Sequence, residues 1–239
     1  MQILEQREPV MTSASTENFQ QYDNGTATAC NSNNKAAEIK EIPPSFPGVS
    51  QLLPHLYLCG ASVLSPTVIT SLGINLVINV ASELPDTPLP TTVPILYLRI
   101  DISDRPNAEL HKHFDEVADM IEEVRQNGGK TLVHCVAGVS RSASLCLAYL
   151  MKYSGMTLHD AFMHIKSVRP QIRPNTGFFE QLRCYDEQIH GRQSVKMVFL
   201  ECLQREIPDV YETEFRPMEE FYQRQRLANK RNRQTPLTT

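Results

Sequence analysis

The chain has 239 residues, room for one full core with tails, and its 23 Lys and Arg against 27 Asp and Glu set it apart from general nucleic-acid binders. No run reaches the ~20 apolar residues of a membrane span, and Gln2 argues against the usual myristoylation start, so no transmembrane segment or N-terminal lipid anchor is expected. The six cysteines (Cys30, Cys59, Cys135, Cys146, Cys184 and Cys202) follow no short-range framework and no secretory leader precedes them, which points to free thiols in a reducing, cytoplasmic compartment.

Residues 1–46 are rich in Ser, Thr, Asn, Gln and Glu without apolar periodicity, and read as a disordered N-terminal extension. At Phe46-Pro47 the composition changes, and a folded domain is expected over 47–193. His55 to Cys59 reads as a strand; Ser65-Pro66 then pairs an N-cap with proline at the first helical position, and Gly73 ends that short helix. Asn75 to Val80 and Ile95 to Ile100 read as buried strands. Leu110, Phe114, Val117, Ala118, Ile121 and Val124 form an apolar stripe at helical spacing over 108–126. Gly128-Gly129 turns the chain into a strand ending at Cys135, and a helix is expected over 142–153. Thr157 and Asp160 predict a capped helix over 158–168, and Asn175 caps one over 176–190. Strand and helix alternate, so the class is α/β: a central, largely parallel twisted sheet flanked by helices.

The C-terminal extension, 194–239, divides by charge. Residues 201–220 carry seven acidic and two basic residues, whereas 221–239 carry five basic and none acidic. It reads as a solvated, partly helical tail. Lys230-Arg231-Asn232-Arg233 also suits nuclear import or an anionic partner, and Thr235-Pro236 suits a proline-directed kinase.

The chemistry concentrates in Thr131-Leu-Val-His-Cys-Val-Ala-Gly-Val-Ser-Arg-Ser142. A thiol at a strand end, a tight loop and an arginine at a helix start make an anion site with a nucleophile at its floor. Loop and helix N–H groups supply positive potential, which favours thiolate at Cys135. Arg141 offers a planar fork matched to phosphate oxygens, and Gly138 lets the backbone approach the anion. The pattern predicts phosphoryl transfer to sulfur followed by hydrolysis. The backbone of Val136, Ala137, Gly138, Val139, Ser140 and Arg141 forms the cradle. His134 precedes the nucleophile, so its side chain points away and supports the loop. A poor alkoxide leaving group needs a general acid, for which Asp101 and Asp104 both lie after the 95–100 strand; spacing alone does not choose between them. His111 and His113 lack nearby ligands at zinc-like spacing, so neither metal nor cofactor is expected.

His134-Cys135-x-x-Gly138-x-x-Arg141-Ser142 resembles the signature loop of the cysteine-dependent protein phosphatases, the dual-specificity group in particular. The resemblance spans about residues 47–193 and runs on into Ser194-Val195-Lys196-Met197-Val198 and Ile207-Pro208-Asp209-Val210-Tyr211, as in small atypical members without a kinase-docking domain. It implies the cysteine-phosphatase fold, Cys135 as nucleophile, Arg141 on the phosphate, and Ser142 stabilising the departing thiolate. It favours Asp104 as the acid, because the family's loop acid lies ten residues before an aromatic that matches Phe114. The implied substrates are phosphorylated proteins carrying phosphotyrosine, phosphoserine or phosphothreonine, with mitogen-activated and related signalling kinases as candidates. Neutral Val136, Ala137, Val139 and Ser140 favour a singly phosphorylated residue over a phosphoinositide or an RNA 5′-triphosphate. A phosphate-binding scaffold without turnover is the competing class, but its expected mark is the loss of Cys, Arg or the acid.

Overall fold

The computed structural model describes residues 46–234, with side chains to 229. The reading of residues 1–46 as disordered lies outside the described residues apart from Phe46, as do Cys30 and Thr235-Pro236.

Five strands form the central sheet: β1 (Val49–Leu53), β2 (Leu56–Gly60), β3 (Leu76–Asn79), β4 (Leu96–Arg99) and β5 (Thr131–Cys135), in the order β1-β2-β5-β3-β4. All are parallel except β1, which pairs antiparallel with β2. The helices are α1 (Pro66–Leu72), α2 (Phe114–Gln126), α3 (Arg141–Ser154), α4 (Leu158–Val168) and α5 (Thr176–His190). The expected α/β architecture is present. β1 escaped the sequence reading because Val-Ser-Gln-Leu-Leu carries no clean period-two pattern, and its pairing rests on the turn through Pro54-His55.

The local signals act as expected. The Ser65 hydroxyl accepts from the Val68 N–H at 3.3 Å, and Gly73 closes α1 at φ +67°. Thr157 accepts from the Asp160 N–H at 3.2 Å and Asn175 from the Phe178 N–H at 2.9 Å. The 108–126 stripe begins one turn later as α-helix than its periodicity implies. Leu110 to His113 form a 3₁₀ turn, yet Leu110 is buried as the stripe requires.

Period-two alternation sorts the strand side chains between two cores. Leu56, Leu58, Leu76, Ile78, Val133 and Cys135 face α2 to α5. Tyr57, Cys59, Val77 and Leu132 face α1. α3 lies at the centre of the larger core, and every residue from Arg141 to Met151 is buried. A helix that is apolar all round is a buried one, and α3 behaves so.

The domain boundary expected at residue 193 falls inside this core. Residues beyond it form a hairpin, β6 (Met197–Leu200) and β7 (Arg205–Pro208), then a 3₁₀ turn at Asp209–Tyr211 and the long helix α6 (Glu212–Gln234). Val195, Leu200, Ile207 and Tyr211 are buried with α4 and α5, and the Tyr211 ring packs edge-on to Phe162 and Phe179 at 5.5 and 5.3 Å. The charged tail masked this packing, since its few apolar residues are spread over a hairpin and a turn. α6 itself is largely exposed, as a solvated tail would be. Truncation after Gln193 is expected to cost on the order of 5 kcal/mol, from the loss of several fully buried side chains. Urea unfolding checks this, and an unchanged midpoint would restore the boundary at 193.

Candidate active site

Cys135 ends β5, the central strand, flanked on both sides by parallel neighbours. The site thus lies outside the carboxyl edge of the sheet, where open α/β sheets bind ligands. The side-chain alternation that turns Cys135 toward α3 turns His134 the other way. Its Nε2 lies 2.7 Å from the Thr87 hydroxyl, in the loop between β3 and β4, and its Nδ1 lies 3.4 Å from the Cys135 carbonyl. Those partners fit a neutral imidazole that donates through Nδ1 and accepts through Nε2. Burial pushes its pKa down to about 4, so it carries no exchangeable charge near neutrality. His134 thus links the end of β5 to the connection between β3 and β4.

The thiol is only 2% exposed. Burial alone would raise its pKa, but the Ser142 hydroxyl and the N–H groups of Ser142, Val139 and Gly138 outweigh that and hold it below the ordinary thiol value. The Ser142 hydroxyl donates to Sγ at 3.1 Å and the Gly138 N–H at 3.3 Å. Cys59, buried without such donors, is pushed up to about 12, and burial raises Cys146 as well. Of these three core thiols only Cys135 has donors that lower its pKa, and burial does not distinguish it from the others.

The loop is held open from behind. Gly138 adopts φ +66°, and a Cβ there would lie 2.4 Å from the Cys59 carbonyl, so only glycine fits. Arg169, buried at the end of α4, donates from Nε to the Gly138 carbonyl at 2.7 Å and from Nη2 to the Ala137 carbonyl at 3.0 Å. Its Nη1 reaches the Gly48 carbonyl at 3.0 Å. The Arg173 N–H takes the Val139 carbonyl at 2.9 Å, and the Ala61 N–H takes that of Val136 at 3.0 Å. With these carbonyls held outward, the loop N–H groups are free to face the anion.

Arg141 is 2% exposed and clamped by Glu83, whose carboxylate accepts from Nη1 and Nη2 at 2.6 Å each. Nη1 also donates to the Ile102 carbonyl at 3.1 Å. The hydrogen bonds to Arg141 hold the Glu83 carboxyl down at about 2, so it is charged at every pH relevant to catalysis. Of the five guanidinium N–H groups, Glu83 and Ile102 occupy three, leaving the side edge of Nε and Nη2. Nε has no hydrogen-bond partner. That edge supplies a bidentate grip on two phosphate oxygens, and the loop N–H groups must hold the third.

The two candidate acids separate cleanly. Asp101 is paired with Arg99 at 2.8 Å and is otherwise largely exposed. Asp104 reaches the loop: Ser140 Oγ and Asn175 Nδ2 each donate to its Oδ1 at 2.7 Å, and its Oδ2 lies 3.8 Å from Arg141 Nε. Two donors saturate Oδ1, so a proton given to a leaving group must ride on Oδ2, the oxygen turned toward the phosphate site.

Residues 56–188 match the dual specificity phosphatase catalytic domain family. This chain belongs to the dual-specificity protein phosphatases. Dual specificity protein phosphatase 18 of Homo sapiens is 46% identical over 194 residues, covering 81% of this chain and 98% of its own length. Dual specificity protein phosphatase 14 of Mus musculus is 43% identical over 176 residues, covering 73% and 86% respectively. The crystal structure of human DUSP28 matches with a TM-score of 0.55 at 34% identity, covering 61% of this chain and 97% of that one. The phosphatase is accordingly a small atypical member of the group, and its activity is hydrolysis of phosphorylated protein residues.

The structure brings together every residue expected at the site and adds three. Asn175 was legible only as a helix cap, and its amide serves both ends: Oδ1 caps α5 while Nδ2 holds Asp104. Arg169 had a signal, since it continues the buried stripe Leu158, Phe162 and Ile165 along α4, where a charge must find polar partners. Glu83 had none beyond following a strand.

Two outcomes are expected here. Ser142→Ala removes a donor from the thiolate, so the alkylation midpoint of Cys135 should move to higher pH and a phosphoenzyme burst should appear as the second step slows. An unmoved midpoint removes Ser142 from this role. Asp104→Asn should slow phosphothreonine-peptide hydrolysis by ~10²-fold or more, with a smaller effect on p-nitrophenyl phosphate, whose leaving group needs little protonation. Asp101→Asn should leave both rates near wild type, and the reverse pattern would make Asp101 the acid.

Proposed function

We propose that this phosphatase hydrolyses phosphotyrosine, phosphoserine and phosphothreonine on signalling proteins, mitogen-activated and related kinases among them, through a phosphocysteine intermediate. The reading is carried by one observation: a buried Cys135 thiol that receives the Gly138 N–H and the Ser142 hydroxyl, six residues before a buried Arg141 whose Nε has no hydrogen-bond partner among the described residues. The Cys135 thiolate attacks phosphorus while Asp104 gives its proton to the departing oxygen. Water then attacks the phosphocysteine, Asp104 takes its proton, and the Ser142 hydroxyl stabilises the thiolate that leaves.

A protein substrate is supported by the loop's composition, since Val136, Ala137, Val139 and Ser140 add no cation for a second phosphate. Turnover, rather than passive phosphate binding, is supported by the retention of Cys135, Arg141 and Asp104 in mutual reach. Cytoplasmic and nuclear residence belongs to the same proposal, supported by Lys230-Arg231-Asn232-Arg233 and by a chemistry that needs a reduced thiol.

Phosphate release from phosphotyrosine and phosphothreonine peptides, a phosphoinositide and an RNA 5′-phosphate, measured side by side in reducing buffer, tests this. The peptides should dominate, and Cys135→Ser should abolish release while still retaining phosphopeptide. Preferred release from lipid or RNA would overturn the substrate class, and activity surviving in Cys135→Ser would overturn the mechanism.

A further inference from the structure

The segment between α4 and α5 has two faces. One carries the contacts to the phosphate loop from Arg169, Arg173 and Asn175. The other is gripped by the C-terminal extension. The Arg173 guanidinium lies over the rings of Tyr211 and Phe215, at 5.3 and 4.8 Å, and 3.4 Å from the Glu214 carboxylate. Lys166 bridges the same carboxylate, at 2.8 Å, to the Ile172 carbonyl, at 3.3 Å. Tyr211, 2% exposed, donates its hydroxyl to the Pro174 carbonyl at 3.0 Å.

That last bond bears on the chemistry. The Pro174 carbonyl and the Asn175 N–H belong to one peptide unit, which is planar and rigid. Its carbonyl end is held by Tyr211. Its N–H end donates to Ser140 Oγ at 3.1 Å, and the Ser140 hydroxyl donates onward to Asp104 Oδ1 at 2.7 Å. Each group in the row accepts on one side and donates on the other, so each bond polarises the next. The Asn175 side chain, the second donor to Asp104, starts from the same peptide unit.

Resting on Asp104 as the acid, we propose that Tyr211 is a positioning residue for proton transfer: through the Pro174–Asn175 peptide it fixes both donors to Asp104 Oδ1 and so keeps Oδ2 aimed at the leaving group. Tyr211 touches neither substrate nor Cys135. Its loss therefore impairs the step that needs a proton and spares the thiolate. The C-terminal extension, which the catalytic loop does not contact directly through this residue, thereby becomes part of the apparatus for poor leaving groups.

The test compares Tyr211→Phe, Ser140→Ala and the double variant in the full chain, on a series of phosphate esters from p-nitrophenyl phosphate to a phosphothreonine peptide. Tyr211→Phe should lower kcat for the phosphothreonine peptide ~10-fold, a fraction of the whole general-acid contribution, with p-nitrophenyl phosphate turnover and KM nearly unchanged. Cys135 alkylation should keep its wild-type pH midpoint. The double variant should be little worse than Ser140→Ala alone, because both cut one path. If Tyr211→Phe does not fold, p-aminophenylalanine at 211 keeps the ring and a donor and should retain wild-type leaving-group dependence. An equal fall across all leaving groups, an additive double variant, or a lost leaving-group dependence with the amino analogue would overturn the proposal. Asp104→Asn serves as the control. If it alters leaving-group dependence and Tyr211→Phe does not, only the role of Tyr211 falls; if Asp104→Asn does not either, the acid assignment falls and takes this proposal with it.

Discussion

A buried thiol whose pKa is held below its ordinary value is the constraint on which the rest of this structure depends. Cys135 is almost wholly removed from water, and removal from water favours the neutral thiol. The fold answers with fixed dipoles: three N–H groups and one hydroxyl converge on a single sulfur. Backbone donors converge in this way only if their carbonyls are drawn outward. That requirement accounts for the buried Arg169, for the positive φ of Gly138 and for the contacts from Ala61 and Arg173. The connections after β2 and after α4, in this sense, hold carbonyl oxygens away from an anion site.

Charge is arranged with the same economy. Arg141 is the strongest anion-binding group in the cleft, and left alone it would be a mobile cation on a long side chain. Glu83 takes one face of its guanidinium and leaves the adjacent edge for phosphate. Glu83 itself is half exposed and sits outside the loop, so it neutralises part of the charge without repelling the substrate's oxygens from the loop N–H groups. Asp104 lies near the other side, with its Oδ2 too far from Nε for a full hydrogen bond. Orientation of charge, more than its amount, distinguishes Asp104 from Glu83.

Much of this could be read in the chain, and the reasons for the gaps are physical. Periodicity and caps located α1 to α5 and strands β2 to β5, but β4, expected as a buried strand, lies at the sheet edge with Leu96 exposed. The nucleophile, the arginine and Gly138 were legible because the loop is continuous in sequence. Glu83, Arg169 and Asn175 act across the fold, and local spacing does not encode which distant carbonyl or carboxylate a side chain will meet. β1 and the β6–β7 hairpin were missed for a related reason. Their stability comes from partners rather than from any pattern of their own, and the hairpin's buried residues are diluted among charges. Asp104 could not be separated from Asp101 on spacing; Arg99 makes the separation in three dimensions by engaging Asp101.

The arms of Arg169 also bear on when the enzyme becomes an enzyme. They tie loop carbonyls to Gly48, a residue 121 positions earlier, and Tyr211 lies 37 positions beyond the Pro174 carbonyl it holds. A chain emerging from the ribosome therefore presents Cys135 before Arg169 and Tyr211 have been made, and domains made in that order fold as their last parts arrive. Until Arg169 is available the Ala137 and Gly138 carbonyls lack the donors that hold them in the finished fold. The phosphate loop is thus given its final shape by residues made after it.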